Sequence, residues 1–132
     1  DKNRDYDKIL ETIARGDGLG FVGDQDAGHR GLYVDFFGQP ASTYKSIALL
    51  SLEYHAPILV MGAARVGSPM KYVVYLEDII WPEDYASRSD AVPAITQRYT
   101  SALERMVRRH PEQYFWLHRR WKSQPKAKRQ AA

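Results

Sequence analysis

Three polar residues in a row, Asp24-Gln25-Asp26, follow the short apolar stretch Leu19 to Gly23. If that stretch is a buried strand, these side chains emerge beyond its carboxyl end, where open α/β sheets gather ligands. Carboxylates placed there can support a catalytic base, orient a head group, or act as an acid/base pair. An acid/base pair needs both carboxylates to flank one reacting centre, and that reading of Asp24 and Asp26 is the weaker one. The competing use is local, because strand-end Asp and Gln often hydrogen-bond the loop backbone. Both uses stay open. Arg30, a little further on, carries a planar donor set that matches phosphate or carboxylate oxygens, or else is a solvated loop arginine. Phe36 and Phe37 either line an apolar pocket or pack the core.

Near the other end, PEQYFWLHRRW interleaves Tyr114, Phe115, Trp116 and Trp121 with His118, Arg119 and Arg120. The aromatics are expected to pack the last turn back onto the sheet. Arg119, Arg120 and Lys122 are then expected on the rim, meeting acidic protein, lipid phosphates or only water. His29, His55, His110 and His118 are too scattered for a metal site, and no cysteine joins them. Gly16, Gly18, Gly20, Gly62 and Gly67 do not form a phosphate-cradling loop. No strand-Gly-x-Ser-x-Gly-helix elbow presents a nucleophile. Neither a metal nor an organic cofactor is expected.

Several elements must position these groups. Tyr6, Ile9, Leu10 and Ile13 have helical spacing over about 4–15, and Gly16 supplies a left-handed stop. Strands are expected at 19–23 and 32–37, the second broken by Gly38 and Pro40. Ser42 or Thr43 can cap a helix reaching Tyr54. Two further strands, Ile58 to Met61 and Tyr72 to Leu76, flank a turn at Gly67, Ser68 and Pro69. A long helix follows Asp90, with Pro93 in its first turn and Ile95, Tyr99, Ala102, Leu103 and Met106 facing inward. This alternation of helix and strand predicts an α/β fold with a mainly parallel, open sheet flanked by helices. Residues 1–122 are expected to form one domain and 123–132 a basic, flexible tail.

The chain has 132 residues, 44% apolar and 27% charged, which are globular values. With 19 Lys+Arg against 16 Asp+Glu the net charge of +3 is too small to mark a nucleic-acid binder, although Arg119 to Arg129 carries no acidic residue. No apolar run approaches the length needed to span a bilayer. The sequence starts at Asp1 rather than Met, so an excised piece of a longer protein is expected.

Pro111 to Lys122, taken with Asp24-Gln25-Asp26, Phe36-Phe37-Gly38, Pro40-Ala41, Thr43 and Ala56-Pro57, resembles the lipid A biosynthesis acyltransferases. These are the lauroyl and myristoyl transferases of the lysophospholipid acyltransferase superfamily. The likeness runs from about Arg4 to Pro125. It implies transfer of a fatty acyl chain from acyl carrier protein to a hydroxyl of a lipid A precursor or related phosphoglycolipid. It places the full protein at the cytoplasmic face of the inner membrane, and this chain as a soluble C-terminal half of the fold. The resemblance also implies that Asp24 and Gln25 support the active site. Arg30, Phe36, Phe37 and Thr43 would meet substrate, and Arg119, Arg120 and Lys122 would form a rim for carrier protein, phosphates or the membrane surface.

The family's catalytic His-x4-Asp/Glu signature is missing. Five residues beyond the four histidines lie Val34, Val60, Phe115 and Ser123. The dyad is therefore expected upstream, leaving this chain inactive alone and, as half a sheet, prone to self-association. A non-catalytic module binding lipid or carrier protein is the second reading. A nucleic-acid-binding domain using the basic tail is the third, and no nucleic-acid partner is favoured.

Overall fold

Residues 2–125 are described by a computed structural model, with side chains from Asp7 onward. Helix α1 (Lys2–Ala14) ends at Gly16, whose φ of 74° is the left-handed stop expected there. An irregular segment leads to a 3-10 turn at Gly28–Arg30. Strands β1 (Leu32–Phe36) and β2 (Gln39–Thr43) then form a hairpin, followed by α2 (Ser46–Tyr54). Strands β3 (Ile58–Arg65) and β4 (Tyr72–Ile80) form a second hairpin. After a 3-10 turn at Pro82–Tyr85 comes α3 (Ala91–Arg109), and a last 3-10 turn at Pro111–Gln113 opens the C-terminal segment.

The α/β composition is as expected, but the pairing is not parallel. Both sheets are two-stranded and antiparallel: Leu32 pairs with Thr43, and Ile58 with Ile80 around a bulge at Val60/Met61. Short connections explain this, since a parallel pair needs a crossover of a dozen or more residues, whereas a tight turn returns the chain antiparallel. Gly38 and Pro40 therefore do not end the extended structure. Phe37 and Gly38 both take positive φ, 56° and 76°, the geometry of a two-residue hairpin turn. Pro40 is tolerated in β2 because that strand lies at a sheet edge. Ser42 and Thr43 are strand residues and not caps.

The strand expected at 19–23 is absent, and Phe21 and Val22 are exposed. Apolar content alone does not make a strand, because its backbone groups need a neighbour. Among the described residues no strand pairs with it. The expected tail also starts too early. Ser123 is buried with its amide bonded to Asp26, and Gln124 is tied to Tyr33 and Trp121. Residues 126–132, the rest of that tail, lie outside the described residues.

Helix α3 organises the core. Its inward stripe Ile95, Tyr99 and Ala102 packs with Ile47 and Ala48 of α2, Val60 and Ile80 of the second hairpin, and Tyr85. One turn further, Val107 and Leu103 meet Phe36, Ala41, Tyr114 and Trp121. A side chain at Gly62 would press on Met106 Sδ at 2.8 Å, so glycine lets α3 close onto β3. Two glutamines complete the frame. Gln97 Oε1 accepts the Asp35 amide at 2.8 Å and its Nε2 donates to the Asp35 carbonyl at 3.0 Å. Gln113 does the same for Arg65, at 2.8 and 3.1 Å.

Candidate active-site cleft

The two acidic residues of Asp24-Gln25-Asp26 sit in different surroundings. Asp26 is tied to the protein: Oδ1 accepts the Gly28 amide at 2.5 Å and Oδ2 the Ser123 amide at 2.8 Å, while its own amide donates to His118 Nε2 at 2.9 Å. Partial burial works to raise its pKa, but the Ser123 and Gly28 amides and the Arg120 charge outweigh it and hold the carboxyl below its ordinary value. Asp24 accepts no such backbone bond among the described residues, and neither does Gln25, so the local use fits only Asp26. Half-buried, Asp24 lines a cleft of about 340 Å³.

Three elements shape this cleft. Phe21, Val22, Gly23 and Asp24 line it together with Met61, Gly62, Ala63 and Tyr75 of the second hairpin, Leu103, Met106 and Val107 of α3, and His110 just past the helix end. Gln113 and Tyr114 close one end. The lining is mostly apolar, with Asp24, Tyr75, His110, Gln113 and Tyr114 as its polar groups. Burial, reinforced by the Asp24 charge, pushes the Tyr114 hydroxyl up to about 12, so it stays protonated beside that carboxylate. The His110 imidazole lies 6.2 Å from the Tyr75 ring, with Nδ1 3.6 Å from Glu112. Such a groove can take an alkyl chain along its walls and a polar head near Asp24. A larger hollow of about 570 Å³ between β1 and the start of α3 is open; of its charged residues Asp35, Arg88 and Asp90, the last two pair with each other at 2.8 Å.

Arg120 is not on the rim. It is 1% exposed, with Nη1 donating to the Ser42 carbonyl at 2.5 Å and Nη2 to Thr43 Oγ1 at 2.6 Å. Its guanidinium lies 5.3 Å over the Phe36 ring. Burial lowers its pKa, partly offset by Tyr114, Tyr99, Asp26 and Asp24 around it. Arg120 Nε, the Tyr114 hydroxyl and Trp121 Nε1 are buried without a hydrogen-bond partner among the described residues. Arg119 and Lys122 are exposed.

Phe36 and Thr43, expected to meet substrate, are buried and do not line this cleft. Phe36 is buried among Phe37, Tyr114 and Trp121, and Thr43 is buried beneath Arg120. Phe37 sits at the hairpin tip with Arg108 over its ring, and Arg30 is exposed in the 3-10 turn; neither lines the cleft. Tyr75, His110 and Gln113 are cleft residues that sequence reasoning missed. The signal for His110 was its spacing, since it follows Leu103 and Met106 at steps of three and four, directly after the end of α3.

The profile of the bacterial lipid A biosynthesis acyltransferases matches residues 1–123. The chain is similar to the lipid A biosynthesis palmitoleoyltransferase of Escherichia coli (strain K12) and to the lipid A biosynthesis acyltransferase of Shigella flexneri. Each is 27% identical over 119 residues, covering 89% of this chain. The chain spans 37% of the length of these relatives.

Proposed function

Because this chain belongs to the bacterial lipid A biosynthesis acyltransferase family, we propose that it supplies one wall of a site that moves a fatty acyl chain onto a hydroxyl of a lipid A precursor or related phosphoglycolipid. The observation that carries this is Asp24: a carboxylate that accepts no backbone hydrogen bond among the described residues and lines a mostly apolar groove. Apolar walls suit the acyl chain, and the carboxylate suits the reacting polar group.

In the reaction, the acceptor hydroxyl oxygen attacks the thioester carbonyl carbon of an acyl-acyl carrier protein while a base takes its proton. The C–S bond then breaks, and the departing thiolate recovers that proton. None of the four histidines here has the carboxylate partner of the family's dyad, so in this mechanism the imidazole comes from another part of the protein. Asp24, with Gln25 next to it, orients that imidazole or the acceptor. Arg119 and Lys122 face the acidic carrier protein or lipid phosphates, and Arg30 is a weaker phosphate contact. The full protein works at the cytoplasmic face of the inner membrane, where its acceptor resides. No helix among the described residues is long and apolar enough to cross a membrane. The second hairpin is then part of a larger sheet completed by the rest of the protein.

The test is Asp24→Ala in the full-length protein, assayed for acyl transfer. Turnover should fall by about a hundredfold or more, the scale of a lost acid/base or positioning group, with stability nearly unchanged. Wild-type turnover would remove Asp24 from the site. The absence of a dyad from this chain favours, as the second reading, a module that binds lipid or carrier protein without transfer. Full-length protein that binds acyl carrier protein yet never transfers would establish it. A nucleic-acid surface has less support, because Arg98, Arg105, Arg108 and Arg109 are engaged by Asp78, Glu77 and Glu104.

A further inference from the structure

Phe115, Trp116 and Leu117 are consecutive, and they are 65%, 52% and 85% exposed. Aromatics were expected to fold this turn inward, and only Tyr114 and Trp121 do so. Both ends of the exposed turn are anchored. Tyr114 packs 6.5 Å from Phe36, and Arg120 is bonded to Ser42 and Thr43. The Trp116 indole is held as well: Nε1 donates to the Pro111 carbonyl at 2.6 Å, and its ring meets Tyr114 edge-on at 4.8 Å. The turn is therefore a braced apolar prong.

Its surroundings narrow the partner. Phe37 stands 6.1 Å from Trp116, with the Arg108 guanidinium, itself paired with Glu104, 4.7 Å from the Phe37 ring. Exposed Arg119 and Lys122 follow the prong, and no acidic residue lies between Phe115 and Lys122. Trp, Phe and Leu on a turn, backed by cations, match the water–bilayer boundary, where aromatic rings settle at head-group depth and Lys or Arg meets anionic phosphates. Three side chains are too few for an ordinary protein interface, which covers about 800 Å² per partner.

We propose that Phe115-Trp116-Leu117 enters the interfacial layer of an anionic bilayer while Arg119 and Lys122 contact lipid phosphates. Its purpose rests on the acyltransferase reading, since Tyr114, the residue before the prong, lines the cleft and a lipid held at the prong lies beside it. The affinity for lipid does not depend on transfer chemistry.

The experiment uses the 132-residue chain and vesicles of mixed phosphatidylethanolamine and phosphatidylglycerol, with bound protein read by co-sedimentation. The combined variant Phe115→Ser, Trp116→Ser, Leu117→Ser should lower partitioning by about tenfold or more, because it removes most of the insertable apolar area. The variant Leu59→Ser, Leu76→Ser, on the exposed face of the second hairpin, should leave partitioning unchanged. Arg119→Glu with Lys122→Glu should weaken binding to anionic vesicles at low salt and leave the weaker binding to neutral phosphatidylcholine vesicles unaltered.

A readout independent of those variants is quenching of tryptophan emission by lipids brominated on their acyl chains, which should be strong in the wild type and largely lost in Trp116→Phe. Persistent quenching in Trp116→Phe overturns the proposal. So does vesicle binding that survives loss of the prong but not loss of Leu59 and Leu76. A prong variant that keeps vesicle binding and loses only binding to an acidic carrier protein assigns the surface to a protein instead, and also overturns it. Since no assay here measures transfer, a negative result leaves the Asp24 assignment standing, and an active Asp24→Ala enzyme leaves the prong standing.

Discussion

The two hairpins are built alike and surrounded differently. The first, β1–β2, is covered: Phe36 and Ala41 face the core, Ser42 and Thr43 lie beneath Arg120, and the Asp26–Ser123 and Asp26–His118 bonds fasten the loop before it to the C-terminal segment. The second, β3–β4, is covered on one side only. Val60, Ala64 and Ile80 are buried against the interior, while Leu59, Met61, Val74 and Leu76 remain exposed. An apolar sheet face open to water is unfavourable unless something else meets it. Both hairpins carry polar bonds, the second through Glu77 and Asp78 to Arg98, Arg105 and Arg109; what separates them is the bare hydrocarbon of the second, which awaits contact.

The sharpest way to break this contrast is at Arg120. Arg120→Met removes the guanidinium and leaves the Ser42 carbonyl and Thr43 hydroxyl without their donors. It should cost about 3 kcal/mol or more, seen as a lower urea midpoint. A midpoint equal to wild type would mean the first hairpin needs no buried cation. Asp26→Asn comes next, at about 2 kcal/mol near neutral pH, because two amides lose a charged acceptor. Its pH dependence has a definite sign. The folded pKa lies below the ordinary 3.8, so the charged form contributes stability above that value and loses it as pH falls through the lower folded value. Thermal melts of wild type and variant should differ at pH 7 and converge in strong acid; a constant gap would assign the effect to shape instead of charge. The smallest effect on stability belongs to Leu59→Lys with Leu76→Lys, within about 0.5 kcal/mol for surface sites. These substitutions should nonetheless suppress self-association of the chain in sedimentation velocity. Unchanged association would shift the sticky surface elsewhere.

Local signals were legible. Helix α3 followed from its apolar spacing, its first-turn proline and the preceding Asp90, and the Gly16 stop was visible in the residue type. What the residues did not disclose was pairing. The stretch at 19–23 has strand composition without a neighbour, and Phe37 is not a residue that announces a turn, because a bulky side chain at positive φ is uncommon. The glutamate that accepts the Phe37 amide, Glu104, is far away in the chain. In the cleft, Asp24 was legible from its place after an apolar run, but the difference between its surroundings and those of Asp26 was not. Nor could the pair Arg119-Arg120 reveal that one faces water and the other is enclosed, since neighbouring residues on an irregular turn follow no fixed period.

The glutamine amides of Gln97 and Gln113 reproduce, with one side chain each, the donor and acceptor that a neighbouring backbone would offer to Asp35 and Arg65. Each acts as a plug in a socket where a stranger's strand could begin to zip. Fibril-like stacking of this protein through those positions is thereby obstructed, even while the oily flank of the second hairpin stays available to whatever is meant to lie across it.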